Sequence, residues 1–119
     1  MKKIIIFIVS FFLLISSSQA LEIGNYKDLK KNNPGMLESY LTGLYHGLLM
    51  SNSWADGKKI IKNKKMFCIP GELTLNNKNL MSFIEEQHQI DIKRNITNID
   101  KQPVAILLIH RLSTVFPCK

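Results

Sequence analysis

Two cysteines constrain this chain more than any other feature. Cys68 lies in Met66-Phe67-Cys68-Ile69-Pro70, and Cys118 in Val115-Phe116-Pro117-Cys118-Lys119. Cys118 follows a proline directly and Cys68 lies two residues before one, each at a break between apolar segments. Two thiols permit a single intramolecular pairing. Whether they pair depends on the compartment, because disulfides persist outside the reducing cytosol. A metal site would need three or four ligands in reach, and a redox pair would favour a Cys-x-x-Cys spacing that is absent.

The N-terminus speaks to the compartment. Met1-Lys2-Lys3 is positive, Ile4 to Ile15 is apolar except for Ser10, and Ser18-Gln19-Ala20 has the small-x-small form of a signal-peptidase site. The pattern predicts a signal peptide over 1-20, cleaved after Ala20. The apolar run is shorter than the roughly 18 residues that span a bilayer. Leu21 rather than a cysteine follows, so no lipid anchor is expected. The exported chain would be Leu21 to Lys119, one small domain of 99 residues with a modest core. In an oxidising compartment the expected role of the thiols is a staple. Closing a loop of this length is worth about 4 kcal/mol in the chain-entropy model, a large share of a small domain's stability.

The full chain carries a formal charge of +7, which becomes +5 without Lys2 and Lys3. The positive charge clusters at Lys58, Lys59, Lys62, Lys64 and Lys65. The cluster lacks interleaved arginine or aromatic stacking platforms, so nucleic acid is not an expected partner. It reads as a solvated segment, a patch for an acidic partner, or a contact for anionic headgroups.

Along the exported chain the periodicity is helical. A short helix is expected around Tyr26 to Lys30. Apolar residues at 36, 37, 40, 41, 44, 45, 48 and 49 predict a longer one starting near Pro34. Gly43 and Gly47 lie four apart on it, a spacing that lets another helix approach closely, and a tight crossing within the fold is expected there. Asp56-Gly57 marks a turn, and Ile60 and Ile61 continue or restart a helix. Thr74 is the expected N-cap of a helix presenting Leu75, Leu80, Phe83, Ile84 and Gln87. Lys93 to Gln102 is polar. Pro103 suits a first helical position, and Val104 to Phe116 reads as the most buried helix. A disulfide would tie the end of this helix to the segment before the Thr74 helix. The expected fold is all-α: a small disulfide-stapled helical bundle of three to five helices.

Chemistry-bearing motifs are sparse. His46, His88 and His110 fall on three different helices without H-x-x-H or H-E-x-x-H spacing. Glu85-x-x-His88 is half of a di-metal pattern that requires a second such pair. The serines lack a nucleophile-elbow context. No catalytic residue, metal or cofactor is therefore expected, and the chain reads as one that binds.

Several of these residues together resemble a family. Tyr40-Leu41-x-Gly43-x-x-x-Gly47, Phe67-Cys68-x-Pro70, Thr74 opening a helix, and Phe116-Pro117-Cys118 at the C-terminus are similar to the Rap/Tai family of periplasmic immunity proteins. The similarity spans about Leu37 to Cys118. It implies a mostly helical fold, an intramolecular disulfide mapped onto Cys68 and Cys118, a possible homodimer, and no catalytic residues. It also implies binding and blocking of a secreted type VI toxin such as a peptidoglycan amidase. Asp91 to Gln102 and the lysine-rich segment depart from the family pattern and are where specificity would lie. Trp54, as a surface anchor or as a core residue, and Lys58, Lys59 and Lys62 are the candidate partner-binding residues. An HdeA-like periplasmic chaperone and a general exported protein-interaction module are the alternative functions.

Overall fold

The computed structural model describes residues 20–57 and 65–118, with the side chains of residues 54–57 outside that description. The described chain is all-α. Helices α1 (Ile23–Asn32), α2 (Pro34–Gly57), α3 (Asn77–Lys93) and α4 (Val104–Val115) are joined by loops, with a short 3-10 helix at Ile99–Lys101 before α4. Among the described residues there is no strand, and no helix is long and apolar enough to cross a membrane.

Asn33 alone separates α1 from α2. Its backbone N–H caps α1 by donating to the Leu29 carbonyl, and its side-chain oxygen accepts from the Met36 N–H at 3.3 Å, which caps α2. Pro34 follows as the first residue of α2, where its missing N–H costs nothing. One face of α2 enters the core through Leu37, Leu41, Tyr45 and Leu48, with Tyr40, Leu44 and Leu49 half-buried beside them. The helix continues through Asp56-Gly57, where a turn was expected.

The start of α3 corrects the expected cap. Asn76, not Thr74, is the N-cap. Its side chain accepts from the Asn79 N–H at 3.0 Å, and the Asn79 side chain accepts from the Asn76 N–H at 3.0 Å. This reciprocal pair satisfies two backbone donors at once. It also places Leu75 just outside the helix and Leu80 one turn inside, both buried, the arrangement of a hydrophobic staple. A cap at Thr74 would have put Leu75 on the helix instead.

The other end of α3 is closed by Asn95. It adopts φ 55°, a left-handed conformation that asparagine tolerates better than most residues. The Ile96 N–H donates to the Asp91 carbonyl at 3.2 Å and the Asn95 N–H to Ile92 at 3.0 Å, completing a Schellman closure. Pro103 is the N-cap of α4 rather than its first helical residue. Its extended backbone pairs antiparallel with Glu22, flanked by Ile23 N–H to Gln102 C=O at 3.0 Å and Val104 N–H to Leu21 C=O at 2.8 Å. The first turn of α1 is thereby tied to the first turn of α4.

Helix α4 packs most closely against α3. Val104, Leu107, Leu108 and Leu112 are buried, whereas Ile106 is 58% exposed and Val115 38% exposed. It is one-sided rather than buried all round. At its C-terminal end Cys68 and Cys118 are bonded, with an S–S distance of 2.04 Å and Cα atoms 5.0 Å apart. The Cys68 N–H donates to the Phe116 carbonyl at 2.8 Å, and Phe116 meets Phe83 of α3 edge to face with centroids 6.2 Å apart. Asn52 holds the same segment from α2: its side chain donates to the Phe67 carbonyl at 2.6 Å and accepts from the Met66 N–H at 2.8 Å. Phe67 between them is fully buried.

Gly43 and Gly47 do not make the expected close crossing. Both are exposed, and a methyl group built on either would meet nothing within 4 Å among the described residues. The reason is rotational. Gly43 lies about 200° around the helix from Leu41, and α2 buries the Leu41 face.

Candidate functional site

An open groove of about 850 Å³ lies between α1 and α3, with Arg111 of α4 on its border. Its floor includes Ile23, Tyr26, His88 and Ile90. Ile23 and Tyr26 are buried because the α1–α4 backbone pairing draws the start of α1 inward. The α1 periodicity places Tyr26, Lys27 and Lys30 on neighbouring positions of one face.

Glu85 of α3 bridges the two walls. The Tyr26 hydroxyl donates to Glu85 Oε1 at 2.8 Å, and Lys30 Nζ bonds the same oxygen. Burial and then the hydrogen bond to this carboxylate push the Tyr26 hydroxyl well above the ordinary tyrosine range. For Glu85, burial works to raise the pKa. The bonds from Lys30 and Tyr26 and the charge of Lys30 outweigh it, and the net shift is downward. Glu86, one residue on, accepts from Arg111 Nη2 at 2.5 Å and Nε at 3.1 Å, and from Ser82 at 3.1 Å through its other oxygen. At the far edge Lys27 pairs with Asp100 of the 3-10 helix at 2.9 Å.

His88 is 5% exposed, and its Nδ1 has no hydrogen-bond partner among the described residues. Burial first, then the nearby Lys27 charge, lowers its pKa, against opposing contributions from Asp100 and Asp91. The surroundings thus disfavour the imidazolium. Gln87 and Asp91 beside it are also buried but satisfy each other at 2.8 Å. His46 and His110 are exposed on α2 and α4. Among the described residues no group of three or more histidine, cysteine or carboxylate side chains could hold a metal ion.

The sequence-predicted residues fall elsewhere. Cys68 and Cys118 are joined as expected. Trp54 belongs to α2 by its backbone, its side chain lies outside the described residues, and Lys58, Lys59 and Lys62 lie outside them altogether. Sequence reasoning missed the groove. Tyr26 and Glu85 are 59 positions apart, and Lys27 and Asp100 are 73 apart. The one available signal was the Tyr26-to-Lys30 helix itself, whose tyrosine and lysines share a face. A smaller cleft of about 400 Å³ lies between α2 and the segment before α3, bordered by Thr42, His46 and Leu73. Thr42 donates to the Asn77 side chain across it at 3.2 Å.

The main groove has a partly apolar floor, walls cross-linked by ion pairs, and more cations than carboxylates along its lining. Comparison with family models, with curated proteins and with solved structures finds no match to this chain.

Proposed function

We propose that this chain is an exported immunity protein of the Rap/Tai type. In this reading it works in the periplasm by binding and blocking a secreted toxin, such as a type VI peptidoglycan amidase, and catalyses nothing itself. The observation that carries the reading is the Cys68–Cys118 bridge. It joins the two segments, Phe67-Cys68-x-Pro70 and Phe116-Pro117-Cys118, on which the resemblance rests. A bridge at this position also supports an oxidising compartment. The backbone bond between Leu21 and Val104 adds support, because it makes the first residue after the proposed cleavage point part of the fold. A stapled helical body with an open, charge-bordered groove suits rigid binding, since little conformational entropy is lost on association.

The test is neutralisation. The full chain, with its native leader, is co-expressed with exported cell-wall hydrolases encoded beside it, each directed to the periplasm. Rescue of growth together with a stable one-to-one complex supports the proposal. Failure to bind or protect against every such hydrolase rejects it.

A further inference from the structure

The charged groups of the groove are unevenly committed. Four cations, Lys27, Lys30, Lys93 and Arg111, line it against two carboxylates, Glu85 and Glu86. Both carboxylates are engaged, Glu85 by Tyr26 and Lys30, and Glu86 by Arg111 and Ser82. Lys27 leans outward to Asp100, and Lys93 has no ion pair among the described residues. On the floor His88 is buried with an unpartnered Nδ1. A buried polar atom without a partner costs free energy that a ligand can recover. An anion would satisfy Lys93 and, where its Nδ1 carries the proton, His88.

The spacing of the cations speaks against a single small anion. Glu86, which holds Arg111, and Lys93 are seven residues apart on α3, about 10 Å along the helix axis. One carboxylate cannot reach both ends, whereas a chain carrying several can. The half-buried Ile90 offers apolar contact between the charged positions.

We propose that the groove between α1 and α3 receives an acidic peptide segment of the partner protein, with its carboxylates seated between Lys27, Lys93 and His88 and an apolar side chain on Ile90. This rests on the reading of the chain as a protein-binding one and names the chemistry of the bound segment. An anion beside His88 favours the imidazolium, which burial and then Lys27 disfavour against the opposing pull of Asp100 and Asp91. Binding then strengthens as pH falls from 8 to 5.5, a range in which glutamate side chains stay ionised.

The probe is a fluorescein-labelled eight-residue peptide alternating Glu and Leu, titrated into the disulfide-intact exported chain at low salt. Matched peptides carrying Gln or Lys in place of Glu serve as controls. The expected result is saturable binding of the acidic peptide, at least tenfold weaker binding of the Gln peptide, and tighter binding at pH 5.5 than at pH 8. Lys93→Glu weakens the acidic peptide about tenfold. Lys31→Glu, an exposed α1 lysine outside the groove, changes it less than twofold. Equal binding of the Glu and Gln peptides overturns the proposal, as do equal losses from Lys93→Glu and Lys31→Glu, or capture by anionic vesicles in preference to the peptide. The two proposals separate cleanly. Peptide binding without neutralisation of any hydrolase rejects the immunity reading alone. Neutralisation that excess acidic peptide does not relieve rejects the groove assignment alone.

Discussion

The two ends of α4 are held to the rest of the molecule by different chemistry. At the C-terminal end a disulfide, an edge-to-face pair of phenylalanines, the buried Phe67 ring and two Asn52 hydrogen bonds converge on one short segment. At the N-terminal end, backbone pairing joins α1 to α4, and the remaining ties across the groove are exposed ion pairs plus one tyrosine hydroxyl. Covalent and buried contacts are worth whole kilocalories, whereas exposed ion pairs are worth a fraction of one. The comparison teaches a difference in attachment: both ends bury apolar side chains, but one is closed covalently, and the other borders charged side chains that can change partners at little cost.

Removing the staple probes this difference with the largest expected effect. Cys68→Ser with Cys118→Ser should lower stability by about 4 kcal/mol, a fall in Tm of about 15 to 30 °C for a domain this size. Calorimetry of the oxidised and double-variant chains checks it. A loss under about 1 kcal/mol would erase the contrast between the ends.

Next is Asn52→Ala, which unties the segment from α2 without touching the sulfurs. It should cost about 1 to 2 kcal/mol, because the Phe67 carbonyl loses its partner in a partly buried place. Urea titration with the disulfide intact measures it. An effect within error would mean that the bridge alone positions Phe67.

Acidification isolates the groove end. His88 has a folded pKa below its usual value, so below about pH 6.5 the unfolded chain takes up the proton first and stability falls with pH. Glu85 also has a lowered folded pKa. Its contribution is present above the ordinary glutamate pKa and is lost as pH falls through the folded value. Stability should therefore decline in two steps, one below about pH 6.5 and one below about pH 4.5, each on the order of 1 kcal/mol or less. Tm measured from pH 8 to pH 3 shows both. His88→Leu should abolish the upper step and Glu85→Gln should shrink the lower, to which the lowered carboxyl of Asp100 also contributes. A flat profile in either window would remove that residue from the account.

The smallest effect is predicted for Lys27→Ala. Lys27 and Asp100 are more than half exposed in their side chains. Tm should move by no more than about 2 °C, as is usual for an exposed pair. A fall comparable with that of Asn52→Ala would mean that the groove end is structural after all.

Elements with a local cause were legible in the sequence. The apolar spacing of 36–49 predicted α2 because a helix repeats every 3.6 residues whatever surrounds it, and Pro103 ahead of the apolar run 104–116 predicted α4, though not that α4 buries one side only. The sulfur bridge needed only the count of two cysteines and the compartment that the N-terminus implies. Capping was harder to assign. Thr74 and Asn76 are both acceptable N-caps, and the choice fell to Asn76 because it buries Leu75 and Leu80 together. The glycine pair on α2 misled for a related reason. Spacing says that two residues share a face but not which face the rest of the chain covers.

The sequence by itself determined that this chain is helical, has one possible disulfide, and has no apolar run long enough to span a bilayer, since each follows from local periodicity, residue type or a count. The tertiary structure alone decided that Tyr26 meets Glu85, that Lys27 meets Asp100, and that His88 is buried without a partner for Nδ1. Those contacts join residues on separate helices, and their geometry is set by how α1 and α3 are both fastened to α4. No short-range rule of spacing or propensity encodes that arrangement.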